Sequence, residues 1–357
     1  MGNLSASAAA SVTVPSPVTT STSTSAPPLL GRAWDALFLG PGATLVVSTA
    51  FVLLWVVGRT TAAAGLATVL SLFFLGPHYA ATYRRAYGSL DVLRAHPVVT
   101  LLVPIAVVAG AVAAVASPRF APFYFLAYVG WSGYHYSGQS LGIAMLFPMR
   151  QGARLDAREK RLLGLPLYAS WILSLIGLMR VGTDARNAAY AIVTQTFAPG
   201  SLPTWVVAAL VVPMLMTFAG VAIIARERRA RGVPLPAMTI AVVVTQVIWF
   251  VGGLFHPFFN IVLVPVFHSL QYLALTSWHF TRGVKSLLRF GLYIATVIFL
   301  GLLINPGSLI AFVPHEASPR ALAAAAAVIS AINLHHFLMD GRIWRMREKK
   351  VRQTFAT

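Results

Sequence analysis

A chain of 357 residues in which 57% of the side chains are hydrophobic and only 10% are charged, with a mean hydropathy of +0.75, lacks the charge needed to cover a soluble domain. The net charge of +18 first suggests nucleic acid as a partner. The bases, however, sit in short loops between apolar segments, where they set topology and meet anionic headgroups, so nucleic-acid binding is set aside.

Residues 1–33 are dominated by Ser, Thr, Ala and Pro and form the first segment, a tail that cannot bury enough apolar surface to offset its ordering entropy and is expected to be disordered. It lacks the basic start and short apolar core of a signal peptide. Residues 34–345 are expected to form an all-α, polytopic transmembrane domain of about ten helices, because stretches of 18 or more nearly uncharged residues recur along them. The spans fall at about 38–58, 61–83, 97–117, 121–147, 162–181, 202–224, 235–255, 259–281, 286–305 and 319–340. Breakers stand at the joints, among them His96-Pro97, Ser117-Pro118 and His256-Pro257. Residues 346–357 form a basic tail.

Arginine clusters follow every even span: Arg84, Arg85 and Arg94 after the second, Arg150 to Arg161 after the fourth, Arg226 to Arg231 after the sixth, Arg282 to Arg289 after the eighth, and Arg342 onward after the tenth. Opposite loops hold only scattered bases such as Arg59, Arg119 and Arg320. The positive-inside rule then predicts an inner-membrane protein with both termini cytoplasmic.

Four histidines are each followed by an aromatic residue, as His78-Tyr79, His135-Tyr136, His279-Phe280 and His336-Phe337. All four lie on even spans, roughly 20–30 Å from the predicted outer ends at 1.5 Å per residue, so they can share one layer. Ionisable groups inside a span are costly and face an interior, a cavity or a metal. Imidazoles converging from several helices point to a metal centre. Neighbouring residues add to it, Asp340 on the face of His336 and His335 adjacent to it. His335 and Asp340 join His336 as candidate ligands, and Asp340 is the one carboxylate near the inner half of a span. Gln139, His268 and Tyr272 are expected around the ligands as supporting groups. His96, His256 and His315 are expected to be loop residues.

The absence of cysteine removes thiolate sites and cysteine nucleophiles. A carboxylate-bridged di-iron site needs more acids than this chain offers. A nearly all-imidazole set with open positions suits ferrous iron, which beside an apolar cavity would activate oxygen against a lipid-soluble substrate.

The segments Leu75-Gly76-Pro77-His78 and Trp131-Ser132-Gly133-Tyr134-His135-Tyr136-Ser137-Gly138-Gln139 resemble motifs of the bacterial Brp/Blh-type β-carotene 15,15'-dioxygenases. The resemblance covers about 70 residues in two blocks. It implies a polytopic membrane fold, histidine-bound iron and oxidative cleavage of a carotenoid, and it carries ligand roles to His78 and His135. A later histidine pair of the family would correspond loosely to His268 and His279. The chain departs from the family at Tyr79-Ala80-Ala81-Thr82, where a glycine and an acid are usual, and the block Ile332 to Trp344 has no counterpart there. The sequence therefore predicts an iron-dependent oxygenase acting on a carotenoid, isoprenoid or other lipid within the membrane. Two alternatives stand beside it: a haem-binding electron-transfer protein, and a proton-coupled transporter relaying protons through His and Asp340.

Overall fold

The computed structural model describes residues 28–181, 188–197, 203–255, 259–283, 286–305 and 318–343. The first 27 residues of the expected tail, His256, His315 and the basic tail lie outside these. The described residues form helices and no strand. In chain order these are α1 (Arg32–Leu39) and α2 (Gly42–Val56), bent by 47° to each other, α3 (Thr60–Tyr87), α4 (Leu90–Ala95), α5 (Val98–Ala116), α6 (Ala121–Arg150), α7 (Ala157–Val181) and α8 (Ala188–Phe197). They continue as α9 (Trp205–Ala230), α10 (Ala237–Phe255), α11 (Phe259–Phe280), α12 (Leu287–Ile304) and α13 (Pro319–Ile343).

The protein is an all-α polytopic membrane protein. Among the described residues, eight helices are long and apolar enough to cross a membrane, or nine if α1 and α2 form one broken span. The predicted fourth span corresponds to α6, a 30-residue helix that falls outside that set. Its Ser132, His135, Ser137 and Ser140 lower its apolarity, and all four are buried, so its polar face is spent on the protein interior. Large apolar side chains stand outward instead, including Val46 and Leu53 on α2, Ile105 and Val112 on α5, and Leu292 and Phe299 on α12. That inversion is what a lipid-facing bundle requires. The short α8, between the fifth and sixth predicted spans, was not anticipated.

Four helices begin or continue through a five-residue π segment, at Asp35–Leu39, Ser71–Leu75, Val98–Leu102 and Phe259–Leu263. Each ends two residues before a proline: Pro41, Pro77, Pro104 and Pro265. The cause is local. Proline has no N–H to give and its ring crowds the carbonyl four residues back, and a wider turn accommodates both. One extra residue in a turn also rotates everything beyond it by about 100° relative to a regular helix. Pro77 directly precedes His78, and Pro265 precedes His268 by three residues, so two of these turns set the direction in which a histidine points.

The basic loops are built tightly. Those after α6 and α9 close with the same pair of backbone bonds, Gly152 N to Met149 O with Ala153 N to Pro148 O, and Gly232 N to Arg229 O with Val233 N to Arg228 O. Gly152 and Gly232 take φ of +79° and +73°, which glycine adopts without a Cβ penalty. Asp156 then caps α7: its carboxylate accepts from Glu159 N and Glu159 accepts from Asp156 N. The bond from the Glu159 backbone holds the Asp156 carboxyl below its usual range. Glu159 itself is buried against Arg228, at 3.0 Å, and Arg231.

Breaking a buried pair leaves one charge stranded and costs about 3–5 kcal/mol. Glu159→Gln is therefore expected to lower the melting transition of the detergent-solubilised protein strongly. Arg158→Gln, which removes only the exposed Arg158–Glu227 pair, should barely move it. Equal melting transitions for the two variants would refute this account. At the other end of the chain, residues 28–30 are attached rather than free: Leu29 is buried, and the Leu29 and Leu30 amides donate to the Asp35 carboxylate.

Candidate metal centre

Four buried imidazoles, His78 on α3, His135 on α6, His268 on α11 and His336 on α13, each offer a ring nitrogen within 4.8 Å of the other three. They form a closed ring. Centroids are 4.3 Å apart for His78 and His336, 5.1 Å for His336 and His135, 4.9 Å for His135 and His268, and 4.8 Å for His268 and His78. His78 Nε2 and His336 Nε2 face each other at 2.7 Å.

The hydrogen-bond census marks this as a site rather than a packed core. Buried polar atoms are normally paired. Here His135 Nε2, both nitrogens of His268, and the Nδ1 atoms of His78 and His336 have no hydrogen-bond partner. An imidazole with neither nitrogen satisfied is costly to bury, and a cation at the centre of the ring would take up one nitrogen of each imidazole. Four nitrogens about 2.1 Å from one ion lie within about 4.2 Å of each other. The ring nitrogens lie from 2.7 Å to 4.8 Å apart, so side-chain adjustments of about half an ångström to an ångström would draw them into a coordinating arrangement. The donor set of four neutral nitrogens and no sulfur fits a borderline divalent ion such as ferrous iron or zinc.

Asp340 stands beside the ring. Its Oδ1 accepts from the Tyr272 hydroxyl at 3.1 Å and lies 3.0 Å from the Thr82 hydroxyl, which is 2.7 Å from the Tyr272 oxygen and can give its one hydrogen to either. Its Oδ2 has no hydrogen-bond partner and lies 3.5 Å from His336 Nε2, one helical turn away. One carboxylate oxygen is therefore anchored while the other is turned toward the imidazoles. Elsewhere in the frame, Tyr79 donates to Asn333 Oδ1 at 2.7 Å, tying α3 to α13, and Gln139 Nε2 donates to the His268 carbonyl at 3.0 Å, tying α6 to α11.

The structure brings together His78, His135 and His336 of the predicted ligands, with Asp340 adjacent and Gln139 and Tyr272 in supporting positions. It places His268, predicted as a supporting group, in the ring itself. It does not bring in His279 or His335. His279 follows His268 by eleven residues, about 16 Å along α11, and lines a separate pocket with Arg84 and Arg85. The single histidine layer expected from the His-aromatic pairs therefore fails on this helix. His335 is turned about 100° from His336. Its ring stacks on Tyr83 at 5.3 Å and its Nε2 is 3.0 Å from the Tyr87 hydroxyl. Thr82 went unnoticed in the sequence because a lone threonine in a helix has no pattern to mark it.

A cavity of about 510 Å³ opens beside the ring, lined by polar residues His135, Gln139, Tyr272, Asp340 and Arg342 and by apolar ones such as Trp131, Ile143, Leu275 and Phe337. No family model matches the chain, and neither a curated protein nor a solved structure similar to it was found.

Proposed function

We propose that this protein is a membrane-embedded, non-haem iron oxygenase acting on a carotenoid, isoprenoid or related lipid. The observation that carries the proposal is the junction of two features: a ring of imidazoles with unsatisfied nitrogens, and a mostly apolar cavity whose wall includes His135 and Asp340. Ferrous iron held by such a set supplies oxygen activation at the coordination positions that the protein leaves open. The protein's own residues bind and orient. The apolar wall excludes water and takes a hydrocarbon chain, while Asp340, held by Tyr272 and Thr82, places one negative charge beside a divalent cation. The cavity is large enough for an isoprenoid chain or one segment of a longer hydrocarbon. The carotenoid class rests on the resemblance of residues 75–78 and 131–139 to the Brp/Blh-type dioxygenases.

The haem alternative is less well supported, because a macrocycle needs a flat slot between its axial imidazoles, whereas His78 and His336 meet nitrogen to nitrogen. Metal analysis and the absorption spectrum of purified protein separate the two: bound iron without a Soret band is expected, and a Soret band would overturn the oxygenase proposal.

The cavity can be tested apart from the metal. Gly142 lines it, and a Cβ built there meets nothing within 4 Å. Gly142→Leu should thus fold, keep its metal and lose most binding of a retinoid or carotenoid probe, because the leucine fills space the ligand needs. Unchanged probe binding would place the substrate elsewhere.

A further inference from the structure

The second pocket, of about 300 Å³, has the opposite chemistry to the first. It is lined by Arg84 and Arg85 of α3, Thr276 and His279 of α11, and Tyr293 of α12, with no carboxylate among its lining residues. We propose that it is a binding site for a phosphate group, either free or as the headgroup of a phospholipid. The inference is independent of the metal centre and of the oxygenase proposal.

Three features make this a built site rather than a scatter of interfacial charge. The first is convergence: adjacent arginines on α3 and a histidine from α11 face one concavity across a helix boundary. The second is preorganisation. The Arg84 guanidinium carbon lies 4.7 Å from the Tyr293 ring centroid and 5.2 Å from that of Phe280, and these two rings stack at 4.1 Å. Cation–π contact fixes the planar fork against an aromatic wall, so less rotamer freedom is lost when it grips an anion. The third is donor type. Two guanidinium groups, an imidazole and the Tyr293 hydroxyl provide donors suited to several phosphate oxygens at once, in the bidentate manner that arginine favours, while the Thr276 hydroxyl is already given to the Tyr272 and Leu273 carbonyls. Asp340 interacts electrostatically with Arg85, but it lines the other cavity, where its Oδ1 is hydrogen-bonded to Thr82 and Tyr272. The volume holds about ten waters at ~30 Å³ each, enough for a phosphate and its ester carbons.

The test compares wild type with Arg84→Gln/Arg85→Gln in two arms. In detergent, inorganic phosphate is titrated against the melting temperature. In phosphatidylcholine nanodiscs with and without phosphatidylglycerol, lipid retained by the extracted protein is counted by native mass spectrometry. A saturable response in either arm, weakened about tenfold or more in the double variant, is expected. A response to inorganic phosphate identifies a free phosphate compound as the ligand, and retention of phosphatidylglycerol alone identifies a lipid headgroup. Arg94→Gln/Arg119→Gln removes two exposed charges outside the pocket and must leave the response intact. If the glutamine pair does not yield monodisperse protein, Arg84→Lys/Arg85→Lys keeps the charge, loses the fork and is held to the same comparison. No difference between wild type and the pocket variant in both arms, or equal loss in the Arg94/Arg119 variant, overturns the site.

Discussion

His336→Ala is expected to strip the purified protein of nearly all its bound metal while leaving a monodisperse, folded membrane protein. His336 occupies the most connected position in the ring, fully buried, with its Nε2 facing His78 at 2.7 Å and the Asp340 carboxylate at 3.5 Å. Removing it takes away one nitrogen donor and opens space beside the others. Loss of a supporting group weakens metal affinity about 10–100-fold, and loss of a ligand weakens it more. Asp340→Asn should fall in that lower range if the carboxylate acts beside the ion, and beyond it if Oδ2 coordinates. The most discriminating variant is His268→Ala. Its ring lies among the other three imidazoles with neither nitrogen hydrogen-bonded; if it acts as a ligand, its loss should match that of His336, whereas His279→Ala and His335→Ala should retain metal. Elemental analysis of the five proteins decides the matter. Metal retained in His268→Ala and lost in His279→Ala would dismantle the ring proposed here.

Gly301→Val is expected to destabilise the protein and to weaken metal binding from a distance. Gly301 on α12 lies against Gly76 and Pro77 on α3, where a Cβ would fall 2.6 Å from the Gly76 carbonyl carbon and 2.7 Å from Pro77 Cα. Those are backbone atoms and cannot rotate away, so α3 itself must shift. Overpacking of this kind costs about 1–3 kcal/mol, and small residues at such crossings are how membrane helices approach closely. His78 follows Pro77 directly, so any shift of α3 moves its imidazole away from His336. Gly291→Val, on the same helix with nothing within 4 Å of its Cβ, should leave both melting temperature and metal content near wild type. If Gly301→Val behaved like Gly291→Val, the close approach of α3 and α12 would have no role in positioning the site.

The helices were legible because hydropathy is a local property: each of the ten predicted segments overlaps a helix, although eight or nine of the described helices, not ten, are long and apolar enough to cross a membrane. His135 and His336 were legible for the complementary reason, since an imidazole deep in an apolar helix is expensive and must be answered by a partner. The choice between His268 and His279 was different. Both share one stripe of α11, and periodicity cannot decide which turn of that stripe lies level with His78, His135 and His336. That depends on where α11 begins, on the π turns before Pro77 and Pro265, and on the contact at Gly76 and Gly301 that seats α3. The basic pocket was hidden in the same way: Arg84 and Arg85 read as topology signals, and their convergence with His279 needs three helices to be placed. Composition and periodicity alone determined that the chain spans the membrane and carries histidines within it. Only tertiary structure decided which four meet, because axial register and rotation between helices are set by packing contacts that no single segment contains.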